Sequence, residues 1–213
     1  MYAKVISGLS FAAWLSLAPC IVQAQESSEP DQVASFAIWK TDFRARALQA
    51  GIRPDLFSEV LDGMVPDTKI MELDRRQPES VRTFMDYLGA TVTETRIQKA
   101  REMYDLHRVM LDEIAGRYQV QPHFILALWG METNFGGFMG RSDVFRSLAT
   151  LAHDGRRRTM FEQQLIDALK IVQNGYASRD QMVGSWAGAM GNMQFMPTTF
   201  LNYAVDADGD GKR

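Results

Sequence analysis

Apolar residues recur at helical spacing along most of this chain, and no stretch of useful length alternates apolar with polar residues as a strand does. The spacing predicts helices over residues 36–50, from 53 to about 61, and over 93–118, 122–135 and 159–174. Residues 65–78, punctuated by two prolines, are predicted to be irregular. With 46% hydrophobic and 23% charged residues in 213, the composition is that of a globular protein. We therefore predict an all-α fold of about one domain.

The first 24 residues have the features of a secretory signal peptide. Lys4 precedes a mostly apolar run over residues 5–18, and the small-residue site at 22–24 (VQA) predicts cleavage between Ala24 and Gln25. The run is too short to serve comfortably as a membrane-spanning helix. Its removal leaves 22 basic and 26 acidic side chains. The resulting charge of −4 gives no reason to expect nucleic acid as a partner.

The domain organisation predicted from these features is a signal peptide at 1–24, a polar linker at 25–35 and a folded domain at 36–213. The only cysteine, Cys20, lies in the leader, and residues 17–20 (LAPC) offer an alternative, a lipoprotein processing box. Lipidation of Cys20 would attach the protein to the outer membrane, although Pro19 fits such a box poorly. Cleavage after Ala24 leaves no cysteine, so the exported domain would depend on its core without disulfides.

One acid occupies a helix face that is otherwise apolar. Glu132 follows Leu128 and Trp129 by four and three residues, so it shares their face of the predicted helix. An acid on such a face loses hydration, and the negative end of the helix, predicted near Gly136-Gly137, disfavours the ionised form further. General-acid catalysis requires a carboxylic acid kept protonated in a cleft, so Glu132 is the candidate catalytic residue. The structural alternative is a glutamate that extends past the apolar stripe or pairs with an arginine.

A second dense segment covers residues 184–200 (GSWAGAMGNMQFMPTTF). Small residues at 184, 187, 188, 189 and 191 allow close approach of the backbone to another helix or to a bulky ligand. Gln194 can donate to and accept from a sugar hydroxyl or acetamido group, and Phe195 offers an apolar face to a pyranose ring. The alternative is tight helix packing with a solvated Gln194.

Arg156, Arg157 and Arg158 form a basic triplet, which is ordinarily a solvated charge run. Its guanidinium groups can instead donate to the carboxylates of an anionic ligand. The three histidines are scattered, none stands at metal-ligand spacing from another, and they are assigned no chemistry.

The last residues carry a metal-binding pattern. Asp206, Asp208 and Asp210 stand at positions 1, 3 and 5 of a calcium loop of the EF-hand type, with Gly211 at position 6. The bidentate acid expected at position 12 lies beyond Arg213, so we expect weak calcium binding or none here, and a structural Ca²⁺ in a full-length protein. Because the pattern stops midway, the chain is expected to be truncated. The alternative is an acidic, disordered tail.

Taken together, these motifs resemble the B-type family of bacterial lytic murein transglycosylases. The segments that carry the resemblance follow one another in family order: 130–136 (GMETNFG), 147–152 (SLATLA), 156–157 (RR) ahead of Phe161, 188–191 (GAMG), 194–198 (QFMPT) and the Asp-rich loop. The resemblance covers about residues 36–213. It implies a lysozyme-like α-domain, a periplasmic location and peptidoglycan glycan strands as the partner.

The resemblance also implies a reaction with one acid, which corresponds to Glu132. That acid protonates the glycosidic oxygen between N-acetylmuramic acid and N-acetylglucosamine, then acts as a base on the muramyl 6-hydroxyl, which closes onto C1 to give a 1,6-anhydro end. No water enters, no cofactor is needed and no second catalytic carboxylate is required. Asp143 is the nearest second candidate in the sequence, and we do not expect it to act.

By the same resemblance, Ser185, Gln194 and Phe195 line the saccharide cleft, and Arg156 and Arg157 lie near the peptide or lactyl side of the substrate. Family members continue past the Asp-rich loop into further helices that complete the cleft. We therefore expect an open cleft wall here and leave the activity of the chain itself undecided. The alternative functions are a muramidase-type hydrolase on the same scaffold and a non-catalytic peptidoglycan-binding module.

Overall fold

The fold is mainly helical, as predicted. The computed structural model describes residues 29–76, 83–207 and 209–213. Within these ranges the helices are α1 (Glu29–Gln49), α2 (Pro54–Leu61), α3 (Thr68–Arg75), α4 (Phe84–Thr91), α5 (Glu94–Tyr118), α6 (Pro122–Thr133), α7 (Val144–Asp154), α8 (Arg158–Gln173) and α9 (Pro197–Tyr203). Two short antiparallel strands, β1 (Ser142–Asp143) and β2 (Val183–Gly184), pair beside α7.

The structure differs from the sequence-based expectation in five helices. Helices α4, α7 and α9 were not predicted, α3 was predicted to be irregular, and α1 begins earlier than predicted. Residues 68–75, predicted to be irregular, form α3 because the Asp67 side chain caps the helix by accepting from the Lys69 N–H, while Ile70 and Met71 are buried. Helix α1 begins at Glu29, within the predicted linker, and extends N-terminally from the buried Phe36. The predicted signal peptide and residues 25–28 lie outside the described residues.

Helices α7 and α8 form the centre of the larger hydrophobic core, here called the main core. Eight of the eleven residues of α7 are buried, and the apolar face of α8 packs against them. Around them lie α1, α2 and α3. Helix α1 contributes Phe36 and Phe43 and α2 contributes Phe57 and Leu61, all with almost no exposure, and α3 contributes Ile70. Each fully buried side chain of this size contributes about 1.5–3 kcal/mol to folding. The candidate site lies beside this closely packed core.

Helices α5 and α6 pack on each other around a smaller hydrophobic cluster. The two helices and this cluster are here called the α5–α6 pair. Leu111, Leu126 and Phe135 are its buried members. Helix α5 is kinked at His107, whose φ of −111° and ψ of 17° lie outside the helical range. The kink lets the His107 ring meet the edge of Trp129 on α6, with centroids 5.6 Å apart. No helix in the described part of the chain has the length and apolarity needed to cross a membrane.

Candidate active site

Glu132 lies in the last turn of α6 and is exposed. The predicted position near the negative end of a helix is confirmed, but the predicted apolar burial is wrong. Trp129 on the same face is only half-buried and Leu128 is 52% exposed, so that face opens to solvent. Among the described residues, none donates a hydrogen bond to the Glu132 carboxyl or forms an ion pair with it. The Glu132 side chain is therefore unpaired among the described residues, and the alternative of a glutamate paired with an arginine does not hold there.

Helix α6 ends at Thr133, earlier than the predicted stop at Gly136-Gly137, in an unusual turn. Asn134, Phe135 and Gly136 all have left-handed backbones, with φ of 51°, 61° and 78°. Asparagine and glycine tolerate this conformation, whereas for Phe135 it costs about 1–2 kcal/mol. Burial of the Phe135 ring against Trp129, with centroids 5.5 Å apart, offsets that cost. The turn directly after Glu132 is thus strained locally and held by packing.

Gly130 and Lys99 both contact this turn. A Cβ at Gly130 would lie 2.7 Å from Cζ of Phe135, so only glycine lets the ring fold back onto the helix. Lys99 Nζ donates to the Asn134 backbone oxygen at 3.2 Å and lies 5.8 Å from the Phe135 ring centroid. A cation at this point complements the negative end of α6. Neither residue was singled out for this role from the sequence.

The end of α6 is bonded to the loop formed by residues 184–196, here called the small-residue loop. Thr133 is buried, and its Oγ1 donates to the backbone oxygen of Asn192 at 2.8 Å. Trp129 Nε1 donates to Asn192 Oδ1 at 3.0 Å. The same Thr133 Oγ1 accepts from the Gly136 N–H at 3.0 Å. The acid and the predicted saccharide-binding segment are therefore brought together.

The predicted close backbone approach in the small-residue loop is confirmed, and the neighbour is protein. A Cβ at Gly184 would lie 2.0 Å from the Ala189 backbone oxygen, and one at Gly188 would lie 2.4 Å from a methyl carbon of Leu148. Ser185 also serves the loop, because its Oγ accepts from the Ala189 N–H at 3.0 Å. Its hydroxyl hydrogen can still be donated to a ligand.

Gln194 is oriented by two carbonyl groups. Its Nε2 donates to Gly191 O at 2.9 Å and to Met139 O at 3.3 Å, and its backbone is left-handed with φ of 48°. Since carbonyl oxygens only accept, they fix which end of the amide faces them. Oε1 has no partner among the described residues, so Gln194 offers a ligand an acceptor. Phe195 follows it, half-buried, and its backbone pairs with Met190 in both directions.

Arg156 and Arg157 are not a freely solvated run, because both pair with one buried acid. Asp74, only 2% exposed, accepts from Arg157 Nη2 at 2.5 Å and lies 3.2 Å from Arg156 Nη2 through its other oxygen. The two arginines share one counter-charge and are half-exposed, so the cluster retains one positive charge. The pairing joins α3 to the start of α8 across more than 80 residues of sequence. No described contact links either arginine to Glu132.

Asp143 has a structural role. Its Oδ1 caps α7 by accepting from the N–H groups of Phe145 and Arg146 at 2.8 and 3.1 Å, and its Oδ2 pairs with Arg179. A carboxylate bound in this way is not available for proton transfer. This agrees with the choice of Glu132 rather than Asp143 as the acid.

The two described acids of the predicted calcium loop turn toward their own backbone. Asp206 accepts from the N–H groups of Gly209 and Gly211 at 2.7 and 2.9 Å, and Asp210 accepts from the Lys212 N–H at 2.8 Å. Asp208 lies outside the described residues. Within the described residues, no group of three histidine, cysteine or acidic side chains converges as metal ligands would.

An apolar groove of about 660 Å³ lies between α5 and α6 on the side of Leu126 and Met131. Glu132 is not among its lining residues. The groove is therefore separate from the exposed face that carries the acid.

Comparison with known proteins identifies the domain. Residues 35–213 match the family described as Transglycosylase SLT domain. The chain is 29% identical over 161 residues to membrane-bound lytic murein transglycosylase B of Escherichia coli, a match covering 75% of this chain and 43% of that protein.

Solved structures of lytic transglycosylases are also similar to this chain. SltB3 of Pseudomonas aeruginosa, in complex with NAG-anhNAM-pentapeptide, is 45% identical with a TM-score of 0.78, over 83% of this chain and 47% of that one. The lytic transglycosylase Slt35 of Escherichia coli, in complex with calcium, is 27% identical with a TM-score of 0.73, over 81% and 56%. The chain thus spans about half the length of these relatives. Because the family match covers most of its residues, the chain belongs to the Transglycosylase SLT domain family.

Proposed function

We propose that this domain cleaves the β-1,4 bond between N-acetylmuramic acid and N-acetylglucosamine in peptidoglycan by lytic transglycosylation, with Glu132 as the acid. The observation that carries the proposal is the unpaired, exposed carboxyl of Glu132 at the end of α6. The same helix end is hydrogen-bonded, through Trp129 and Thr133, to the loop that holds Gln194. The family match and the anhydro-sugar complex of SltB3 support it.

The proposed reaction needs one carboxyl group. Glu132 gives its proton to the glycosidic oxygen as the bond from C1 to that oxygen breaks. The muramyl 6-oxygen then bonds to C1, and its proton returns to Glu132, which is regenerated. The product carries a 1,6-anhydro ring, and no water is consumed. The fixed structural role of Asp143 fits this scheme, because a second free carboxylate is not required.

The substrate-binding roles follow from the groups left free. Gln194 Oε1 accepts from a sugar hydroxyl or an amide N–H, Ser185 donates its hydroxyl hydrogen, and the Phe195 ring packs on a pyranose face. Arg156 and Arg157 attract a peptide or lactyl carboxylate through the charge that Asp74 leaves unneutralised.

The test is digestion of purified sacculi by this chain and by its Glu132→Gln variant, with the products identified by mass spectrometry. We expect anhydromuramic ends from the unsubstituted chain and a loss of about 10²–10⁴-fold in rate from the variant, the usual contribution of general acid–base catalysis. The matched control is Glu72→Gln, an exposed helical glutamate on α3, which leaves the rate unchanged.

Other outcomes distinguish the alternatives. Products heavier by one water, with reducing ends, indicate a muramidase-type hydrolase. Binding to sacculi without digestion, unchanged by Glu132→Gln, indicates a peptidoglycan-binding module.

The proposed location is the bacterial periplasm, after cleavage between Ala24 and Gln25. It is supported by the apolar leader and by the name of the Escherichia coli relative, membrane-bound lytic murein transglycosylase B. Mass measurement of the protein secreted by a bacterial host tests it. An N-terminus at Gln25 supports the soluble form, and a lipid-modified N-terminus at Cys20 supports outer-membrane attachment.

A structural Ca²⁺ is proposed for the Asp-rich loop, supported by the sequence pattern and by the calcium complex of Slt35. Carboxylate oxygens suit this hard cation, and Asp206, Asp208 and Asp210 would hold it. Because both oxygens of Asp206 already accept backbone N–H groups, we expect binding by this chain to be weak. Isothermal titration with Ca²⁺ measures it, and a submicromolar dissociation constant would contradict weak binding.

A further inference from the structure

We propose that Asn192 is a positioning residue that holds the turn carrying Glu132 in place. The proposal rests on the proposed function, since it concerns the same acid. Asn192 Oδ1 accepts from Trp129 Nε1 at 3.0 Å, and its backbone oxygen accepts from Thr133 Oγ1 at 2.8 Å. The two donors stand three residues before and one residue after Glu132. The last turn of α6 is therefore fixed on both sides of the acid.

Glu132 depends on this support because its own side chain has no anchor among the described residues. The position of its carboxyl is set by the helix turn alone. Helix α6 packs mainly on α5, and the small-residue loop packs on the main core. Three side-chain hydrogen bonds of the described residues join positions 84–139 to positions 140–213, and Asn192 makes two of them.

The surroundings of Asn192 are shaped for this contact. A Cβ at Gly136 would lie 2.7 Å from Asn192 Oδ1, so glycine at 136 leaves room for the amide. The indole ring of Trp129 is held edge-on by His107 and Phe135, with centroid distances of 5.6 and 5.5 Å. The indole N–H is thus aimed before a substrate arrives, which is the condition for a useful positioning contact.

The experiment compares Asn192→Ala and Asn192→Asp in the unsubstituted chain and in a Trp129→Phe background. We expect Asn192→Ala to lower kcat on soluble glycan strands about fivefold with KM unchanged, the scale of one hydrogen bond. Asn192→Asp keeps the acceptor oxygen and restores most of the rate. In the Trp129→Phe background, Asn192→Ala causes no further loss, because the donor is gone. Asn202→Ala, at an exposed asparagine of α9, is the matched control.

Nuclear magnetic resonance reports the contact without activity. Asn192→Ala shifts the indole N–H resonance of Trp129 and speeds amide exchange at Glu132 and Thr133, while exchange at Leu169 in α8 stays unchanged. An unshifted indole resonance, an unchanged kcat in Asn192→Ala, or an equal loss of kcat in both backgrounds overturns the proposal. If the chain digests no glycan, the proposed function fails separately. In that case amide exchange at Glu132 and Thr133 is the test of the positioning role, and an exchange rate that Asn192→Ala leaves unchanged overturns it.

Discussion

The main core and the α5–α6 pair differ in how much of each helix is buried. Helix α7 is buried along eight of eleven residues, whereas the 25 residues of α5 bury only Leu111. Large apolar side chains of α5 remain in contact with solvent, Val109 at 84% exposure among them. Glu132 belongs to the open region, and its neighbours Trp129 and Thr133 donate hydrogen bonds to Asn192 in the closed one. The turn that carries Glu132 is thus held by polar contacts at the boundary between the two regions, with the packed scaffold on one side.

Local stability should differ accordingly between the two regions. A region with few buried apolar contacts opens at lower free energy than the core of the same domain. The closely packed α7–α8 centre is therefore expected to be the more stable region, and the α5–α6 pair that carries Glu132 the less stable one.

The largest effect is expected from truncating a core leucine. Leu165→Ala in α8, at a fully buried position, should lower the free energy of unfolding by about 4 kcal/mol, because it removes buried methyl groups and leaves a cavity. Leu126→Ala in the α5–α6 pair should cost about 2.5 kcal/mol, since open surroundings let the gap be filled more easily. Urea denaturation measures both values. Equal losses would show that the two regions are packed alike.

Breaking a buried ion pair should come next. Asp74→Asn leaves Arg156 and Arg157 without their counter-charge and should cost about 2.5 kcal/mol, less than a fully buried pair because both arginines are half-exposed. Its counterpart in the α5–α6 pair is Asp112→Asn, where the partner Arg108 is 3.7 Å away and exposed, with an expected cost below about 0.5 kcal/mol. The comparison is made by urea denaturation at low and high salt. A loss at Asp112 as large as at Asp74 would contradict it.

A smaller effect on stability is expected from a substitution that disturbs the turn after Glu132. Here the variant and its control both lie in the α5–α6 pair. Gly130→Ala places a methyl group 2.7 Å from the Phe135 ring and should cost about 1.5 kcal/mol. Gly116→Ala in α5 meets no atom within 4 Å and should stabilise the helix by up to about 1 kcal/mol. Thermal unfolding of the two variants should therefore shift in opposite directions. A shift in the same direction would show that the Phe135 ring moves aside freely.

The helices α1, α2, α5, α6 and α8 could be predicted from the spacing of apolar residues, whereas α4, α7 and α9 were not predicted. The starts of α2, α5, α6 and α8 lie within one residue of the predicted positions. Helix α3 was missed because its eight residues contain only one apolar pair facing the core, too little for periodicity to show. The catalytic candidate was found from its helix position, yet its burial was wrong. Periodicity identifies an apolar face and not whether another element covers it.

The contacts that place the site could not be predicted, for a physical reason. Asp74 meets Arg157 across 83 residues, and Trp129 meets Asn192 across 63. Such pairs are set by the way the helices pack, and a single polar residue in a sequence carries no mark of its distant partner. Asn192 lies among small residues and has no feature in the sequence that predicts a bond to Trp129, and the basic triplet does not predict that one buried acid pairs with Arg156 and Arg157.

The smallest expected effect is a pH dependence confined to the main core. His153 at the end of α7 is half-buried, with its Nε2 2.9 Å from Ser35 Oγ and its buried Nδ1 without a partner among the described residues. Burial, assisted by the charge of Arg158 and opposed by Asp154, lowers the pKa of His153 below its ordinary value of 6.5. The unfolded chain therefore binds the proton more readily than the folded one. Stability is then complete above about pH 6.5 and falls as the pH is lowered through that value.

The variant His153→Gln isolates this contribution. It removes the titrating ring, so the free energy of unfolding should depend less steeply on pH between about 7 and 5 than in the unsubstituted chain. His123→Gln, at an exposed position of the α5–α6 pair, is the control and should leave the slope as it was. Urea denaturation across this pH range measures the slopes. If His123→Gln flattens the slope and His153→Gln does not, the acid-sensitive contact belongs to the open region, and the main core is the less pH-dependent of the two.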